Sequence, residues 1–211
     1  MPDAAVATPL FTPNRDLEKN TVYLKQVIAH PNFYIGDWSF DNDQSMPKDY
    51  ASSLASYLWP GKPTRTKIGR FCQIAVGTQI ITTLANHPMK GMSAYPFAML
   101  DGCWGEYLTQ VPAPRDVAIG NGCWIGNEAV IMPGTVIGDG AIISTLTIVT
   151  RTVPDYAIVA GNPAQVMRMQ FDDNTILRLK ALAWWDWDKD KIEKAITSIE
   201  AGDLNALEQL K

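Results

Sequence analysis

The second half of the chain repeats a hydrophobic position every six residues. Aliphatic side chains stand at Ile119, Ile125, Ile131, Ile137, Ile143 and Val149, and a small residue or a valine follows each of them by four positions. This period fits neither an amphipathic helix, which repeats about every 3.6 residues, nor a half-buried strand, which alternates. It fits short strands joined by sharp corners, three of which close one triangular coil. We therefore predict a solenoid whose coils bury their aliphatic residues by stacking on one another.

The same repeat appears upstream in a different phase and is interrupted twice. Ile68, Ile74 and Ile80 continue one stretch, and Ile35-Gly36 opens an earlier one. The interruptions fall at about 41–66 and 84–115, and the second is rich in proline, glycine, methionine and aromatic residues. Because long segments that leave a rigid scaffold commonly hold functional residues, we expect two protruding loops with a role in function.

The pattern changes at both ends of the predicted coils, which we place at residues 32–165. Residues 166–211 follow a helical spacing of apolar positions, with Asp172 or Asp173 at the start of the first helix. Since the terminal coil of a solenoid needs a cover, we predict that these helices cap its open end. Residues 1–31 are an N-terminal segment with one predicted helix around Leu17–Ile28. The predicted fold class is all-β: a left-handed parallel β-helix with C-terminal α-helices.

Composition and charge exclude several classes of function. The chain has 211 residues, of which 46% are hydrophobic, enough for one core. The net charge is −4 and the basic residues are scattered, so we expect no nucleic-acid binding. The sequence has no signal-peptide pattern and no long apolar run, so we expect a cytoplasmic protein that does not enter a membrane. Three cysteines without CxxC spacing and only two histidines argue against a zinc site.

Several motifs together carry a resemblance to a known family. The segments Asn86-His87-Pro88-Met89 and Tyr95-Pro96-Phe97 are followed by GNGCWIG, MPGTVIGDGAII, VPDYAIVAGNPA and AWWDW. This set resembles the xenobiotic acetyltransferases of the hexapeptide superfamily, the type B chloramphenicol and streptogramin A acetyltransferases. The likeness runs from about Phe33 to Ile196. It implies acetyl-CoA as co-substrate without a metal, a small and largely apolar acceptor with a hydroxyl group, and a homotrimer with sites between subunits.

The resemblance also implies the catalytic residues. Acyl transfer to an alcohol needs a base, and histidine is suited to that role near neutral pH. His30 lies at no motif position, whereas His87 matches the family's catalytic histidine, at the point where the coils open into the second loop. Transfer is then direct, without an acyl-enzyme, and the sequence has no GxSxG motif. Trp124 matches the family's tryptophan near the reacting thioester, where its ring or a neighbouring amide would stabilise the oxyanion.

Two further sets of residues are implied to bind the substrates. The set for acetyl-CoA is Ser144, Thr145, Ala160, Gly161, Pro163 and Arg168, the last as a phosphate partner. The set for the acceptor is Trp38, Phe40, Met89, Tyr95, Pro96 and Phe97, whose apolar character suits a lipophilic molecule. One segment departs from the streptogramin enzymes, because Asp37-Trp38-Ser39-Phe40-Asp41 replaces a tyrosine-rich stretch. The identity of the acceptor stays open. Two alternative functions are a metabolic O-acetyltransferase of a sugar or amino acid and a non-catalytic hexapeptide scaffold.

Overall fold

The computed structural model describes residues 20–43, 45–87, 89, 91–95 and 113–210. Short strands recur throughout this part of the chain up to residue 169. These strands are β1 (Thr21–Tyr23), β2 (Phe33–Ile35), β3 (Phe40–Asn42), β4 (Thr66–Ile68), β5 (Gln73–Ala75), β6 (Gln79–Ile80), β7 (Val117–Ile119), β8 (Trp124–Ile125), β9 (Val130–Ile131), β10 (Val136–Ile137), β11 (Ile142–Ile143), β12 (Ile148–Val149), β13 (Ala157–Ala160) and β14 (Gln165–Met169).

The strands form the three faces of a triangular prism. Face 1 contains β2, β4, β7 and β10, and face 3 contains β6, β9 and β12. Face 2 contains β3, β5, β8, β11 and β13, with β1 and β14 added antiparallel at its two edges. All other strand pairs are parallel, and the chain passes from face 1 to face 2 to face 3 in each complete coil. The parallel β-helix predicted from the six-residue repeat is therefore confirmed.

The aliphatic residues of the repeat fill the interior of the prism. Ile68 lies in register with Ile119 on the next coil, and Ile74 lies in register with Ile125. All six aliphatic residues from position 119 to 149 are at most 1% exposed. Each such side chain contributes about 1.5 to 3 kcal/mol by leaving water. Cys72 and Cys123 occupy the small position of successive coils as buried free thiols; Cys103 lies outside the described residues.

One corner of the prism, between faces 1 and 2, takes a left-handed backbone in every coil. The residues with positive φ at this corner, corner 1/2, are Trp38, Phe71, Gly122, Gly140 and Tyr156. Glycine is required at Gly140, because a Cβ there would lie 2.3 Å from Cε1 of Tyr156. Such a distance is impossible without moving the ring, so Gly140 makes room for the Tyr156 ring on the next coil.

The C-terminal segment contacts corner 1/2 through Lys180 and Trp184, and the cap over the open end of the coils stays a prediction. Residues 165–169 form β14 rather than a helix, and the helices follow as α3 (Asp173–Leu182), α4 (Lys189–Ala201) and α5 (Leu204–Gln209). The side chain of Asp172 caps α3 by accepting from Thr175 N at 2.7 Å. Lys180 of α3 forms ion pairs with Asp139 and Asp155 on successive coils. These pairs between distant residues hold α3 along the side of the prism.

The N-terminal segment also differs from its prediction. A helix was expected around Leu17–Ile28, but Thr21–Tyr23 form β1 and only α1 (Leu24–Val27) is helical. The physical reason is that β1 contains Thr, Val and Tyr, which favour strands, and extends face 2 by pairing with β3. Residues before position 20 lie outside the described residues.

The two protruding loops begin and end close to the predicted positions. The first runs from residue 43 to residue 65 and contains α2 (Tyr50–Leu54), which Asp49 caps. The second leaves after β6, begins with a 3₁₀ turn at Thr83–Ala85, and returns at β7. In the part of the chain that is described, no helix is both long and apolar enough to cross a membrane.

Candidate active site

His87 follows the 3₁₀ turn that opens the second loop. Its Nδ1 lies 3.1 Å from the carbonyl oxygen of Ala94, and the side chain is otherwise exposed. A carbonyl oxygen can only accept a hydrogen bond, so Nδ1 carries the ring hydrogen and Nε2 keeps a free lone pair. This is the state of the imidazole that a general base requires.

Trp124 lies on the outer side of face 2. In the pleat of β8 the neighbouring Ile125 points inward, so the indole points outward and is 52% exposed. The strand register aligns it with other outward residues of face 2. From one edge to the other this row is Phe40, Gln73, Trp124, Ile142, Ile158 and Arg168. Three of the residues predicted to form the site, Phe40, Trp124 and Arg168, therefore share one outer surface.

Five of the residues predicted to bind acetyl-CoA meet at the corner between faces 2 and 3, corner 2/3. Ser144 and Thr145 follow β11, and the backbone N–H of Ser144 donates to Val159 O at 2.9 Å. On the next coil Gly161 accepts from the N–H of Ile148 at 3.0 Å. These bonds bring Ser144 and Thr145 beside Ala160, Gly161 and Pro163. Gly161 and Pro163 are exposed.

Around Gly126 the surface at corner 2/3 is formed by backbone and small side chains, beside the exposed side chain of Leu146. A Cβ at Gly126, two residues after Trp124, would lie 2.6 Å from the backbone nitrogen of Thr145 on the next coil. Gly126 is therefore needed for the two coils to stack closely here. This corner directly adjoins β8, the strand that contains Trp124. The predicted acetyl-CoA residues therefore lie next to the row of outward residues on face 2.

The residues predicted to bind the acceptor are not gathered at one place. The indole of Trp38 lies at corner 1/2, where it stacks on Phe71 at 4.8 Å between ring centroids and lies under the Arg70 guanidinium. It is therefore part of the packing of that corner. Met89 and Tyr95 are exposed on the second loop with His87. Pro96 and Phe97 lie outside the described residues.

The histidine and the predicted acetyl-CoA residues lie at different corners of the prism. The second loop leaves after face 3 and returns to face 1, so its base lies at corner 3/1, whereas Ser144 and its neighbours lie at corner 2/3. Among the described residues, no group of three or more His, Cys, Asp or Glu side chains could hold a metal ion.

Asp41, a polar residue inside the coils, was not among the residues predicted from the sequence. Asp41 stands six positions after Ile35, at an aliphatic position of the repeat, and extending that repeat by one step would have found it. Its strand register places it beside the buried Ile74, and it is 2% exposed. Burial, with a smaller contribution from the charge of Asp43, raises the pKa of Asp41 to about 7.

The fold and the repeat define the class of the protein. Residues 116–151 match the family described as bacterial transferase hexapeptide (six repeats). The protein is accordingly a hexapeptide-repeat protein built on a left-handed parallel β-helix.

Similar proteins narrow this class to one family. The chain is 35% identical to a chloramphenicol acetyltransferase of Agrobacterium fabrum over 194 residues, covering 88% of this chain and 90% of the relative. It is 43% identical to a probable macrolide acetyltransferase of Lysinibacillus sphaericus over 168 residues, covering 77% and 92%. It is 37% identical to a virginiamycin A acetyltransferase of Staphylococcus aureus over 194 residues, covering 90% and 87%. The chain belongs to the xenobiotic acetyltransferase family, as the motifs predicted.

Proposed function

We propose that this enzyme transfers the acetyl group of acetyl-CoA to a hydroxyl of a small, largely apolar xenobiotic, with His87 as the general base. The observation that carries the proposal is the contact between Nδ1 of His87 and Ala94 O, which leaves Nε2 ready to accept a proton. The relatives named above, which act by name on chloramphenicol, macrolides or virginiamycin A, support an antibiotic-like acceptor.

The reaction proceeds in one transfer. Nε2 of His87 removes the proton of the acceptor hydroxyl, and the oxygen attacks the thioester carbon of acetyl-CoA. The tetrahedral intermediate then breaks its carbon–sulfur bond, and the departing thiolate takes the proton back from the imidazolium. Neither Cys72 nor Cys123 is accessible enough to form an acyl-enzyme, since both are fully buried.

The negative charge that develops on the thioester oxygen needs a hydrogen-bond donor. The backbone N–H of Trp124 already donates to Ala141 O at 3.0 Å, and that of Gly126 donates to Ile143 O at 2.8 Å. Both amides are held by the strand ladder, so the exposed indole N–H of Trp124 is the donor that we assign to the oxyanion.

The surface at corner 2/3 suits the pantetheine arm of acetyl-CoA. Small residues there leave room for the arm, and exposed Arg168 at the end of the outer row supplies a positive charge for a phosphate group. The net charge of the chain is −4, so attraction for the phosphates has to be local.

Ser144→Glu should raise KM for acetyl-CoA by about tenfold or more, the equivalent of about 1.4 kcal/mol of lost binding. The longer, negatively charged side chain would occupy the groove and repel the phosphates, while KM for the acceptor should change little. Ser144→Ala is the matched control and should behave like the wild type. Steady-state kinetics with each substrate varied in turn measures both constants. An equal rise in the two KM values would place acetyl-CoA elsewhere.

The site is proposed to lie between subunits of a homotrimer. His87 and the groove at corner 2/3 lie at different corners of one prism, and a second copy of the chain can bring them together. Exposed Met89, Met92 and Tyr95 on the second loop supply apolar surface for such an interface. Light scattering should return three times the chain mass of 23.3 kDa. A monomer at micromolar concentration would contradict both the trimer and the shared site.

A free-thiol assay with acetyl-CoA tests the function itself. The acceptors are chloramphenicol, a streptogramin A compound, a macrolide and simple sugars. We expect release of CoA thiol with at least one antibiotic and none with the sugars, because the second loop is apolar. Turnover of sugars alone would favour a metabolic O-acetyltransferase, and the absence of any turnover would favour a non-catalytic scaffold. The cytoplasmic location stays a prediction from the sequence.

A further inference from the structure

The two ends of the second loop are joined by a single side chain. The hydroxyl of Thr83 accepts a hydrogen bond from the backbone N–H of Arg115 at 2.9 Å and donates one to the backbone oxygen of Arg115 at 3.3 Å. A threonine hydroxyl can do both, because it has one hydrogen and two lone pairs. Thr83 is 2% exposed, so water does not compete for these bonds.

Each of the joined ends is itself fixed to the prism. On the departing side, the N–H of Ile81 donates to Ile131 O of the prism at 2.8 Å, and the hydroxyl of Thr82 donates to Tyr57 O of the first loop at 2.7 Å. On the returning side, the Arg115 side chain packs at Gly134, where a Cβ would lie 2.4 Å from its Nε. Thr83 therefore connects two segments whose positions the coils already determine.

A short path leads from Thr83 to the imidazole of His87. The backbone oxygen of Thr83 accepts from the N–H of Asn86 at 3.0 Å, which closes the 3₁₀ turn one residue before the histidine. This hydrogen bond between Asn86 and Thr83 therefore fixes the direction in which the chain leaves the turn toward His87. Its Nδ1 then meets Ala94 O farther along the same loop.

We propose that Thr83 is a positioning residue for His87: by joining the ends of the second loop, its hydroxyl holds the imidazole in the orientation in which Nδ1 donates to Ala94. The catalytic consequence rests on the proposed function, since it requires His87 to be the base. Small displacements of a catalytic group cost large factors in rate, because the reacting atoms must be aligned.

Thr83→Val tests the proposal, because it removes the hydroxyl and keeps the branched shape. We expect kcat to fall about ten- to hundredfold, with KM for acetyl-CoA unchanged, and Thr83→Ser to restore kcat. The matched control is Thr78→Val. Thr78 is equally buried in the same coil and donates to Ala75 O at 2.8 Å, but it makes no bond to the loop ends. If the valine variant does not assemble like the wild type, Thr83→Ala replaces it.

A second measurement reports on His87 without any activity. The chain has two histidines, so ¹⁵N-histidine labelling gives two rings, which His30→Ala assigns. Nδ1 of His30 accepts from the N–H of Asn32 at 3.1 Å, so neutral His30 carries its hydrogen on Nε2, opposite to His87. At pH 8 we expect Thr83→Val to change His87 from the Nδ1–H form to a mixture of both forms. His30 and the Thr78→Val protein should keep the wild-type pattern.

The outcomes separate the two proposals. An unchanged His87 ring in the Thr83 variants overturns the positioning role, whatever the rate. A changed ring with wild-type kcat overturns it as well. If the wild type acetylates no acceptor, the proposed function fails, and the ¹⁵N spectra alone decide whether Thr83 orients the histidine.

Discussion

His87→Ala should lower kcat by about a hundred- to ten-thousand-fold, the range for a lost general base. Without the imidazole, its described neighbours Met89 and Met92 offer no group that could take the acceptor proton in its place. Acetyl-CoA binding should be unchanged, since the groove at corner 2/3 is formed by other residues. The free-thiol assay measures the rate, and calorimetry with CoA measures the binding.

His30→Ala is the control for this experiment. His30 accepts a hydrogen bond from Asn32 ahead of β2, far along the chain from the second loop, so its loss should leave kcat close to the wild-type value. Retention of most activity by His87→Ala on the best acceptor would assign the base to another group.

The coils could be predicted because their constraint is local and repeated. Every sixth residue enters the same interior position, so Ile125 and Ile131 on the next two faces meet the same environment as Ile119. One sequence therefore repeats the same hydrophobic pattern many times, and each repeat supports the predicted coil independently. Gly140 depends instead on one particular side chain, the ring of Tyr156 sixteen positions later on the next coil.

The arrangement of the C-terminal helices could not be predicted in this way. The spacing of their apolar positions predicted helices. Their place on the prism, however, depends on single contacts such as those of Lys180 with Asp139 and Asp155. The aromatic contact between Phe71 and Trp184, at 5.1 Å, joins residues more than a hundred positions apart. No period in the sequence relates such residues, so the direction of α3 along corner 1/2 was not visible.

The candidate site was predicted in its parts rather than in its arrangement. Motifs identified His87, Trp124 and Ser144, but which corner each occupies depends on counting strands around the prism. Trp38 shows the consequence. Its place in the segment that replaces the tyrosine-rich stretch of the streptogramin enzymes suggested contact with the acceptor, and the structure adds that it stacks on Phe71 at corner 1/2.

Asp41→Asn should stabilise the protein above pH 7, by up to about 4 kcal/mol, the equivalent of the difference between an ordinary carboxyl pKa and about 7. Asp41 fills an aliphatic position of the first coil, beside Ile74 and close to the charge of Asp43. At neutral to alkaline pH the wild type has to keep this carboxylate ionised in the interior or bind a proton to it. Asparagine has nearly the same shape and carries no charge, so it removes that cost.

The sign of the pH dependence follows from which state binds more protons. Between about pH 4 and pH 7 the folded chain keeps a proton on Asp41 that the unfolded chain has lost, so the wild-type free energy of unfolding decreases as pH rises through this window. The variant lacks this decrease, and the two proteins should be equally stable near pH 4.

Urea denaturation at pH 4 to 8 measures both curves. The chain concentration is kept the same throughout, because assembly adds to stability. Asp43→Asn should give a smaller gain, since its charge is the lesser cause of the raised pKa of Asp41. Parallel curves for the wild type and Asp41→Asn would mean that Asp41 is ionised in the folded protein without penalty, through a partner that offsets its burial.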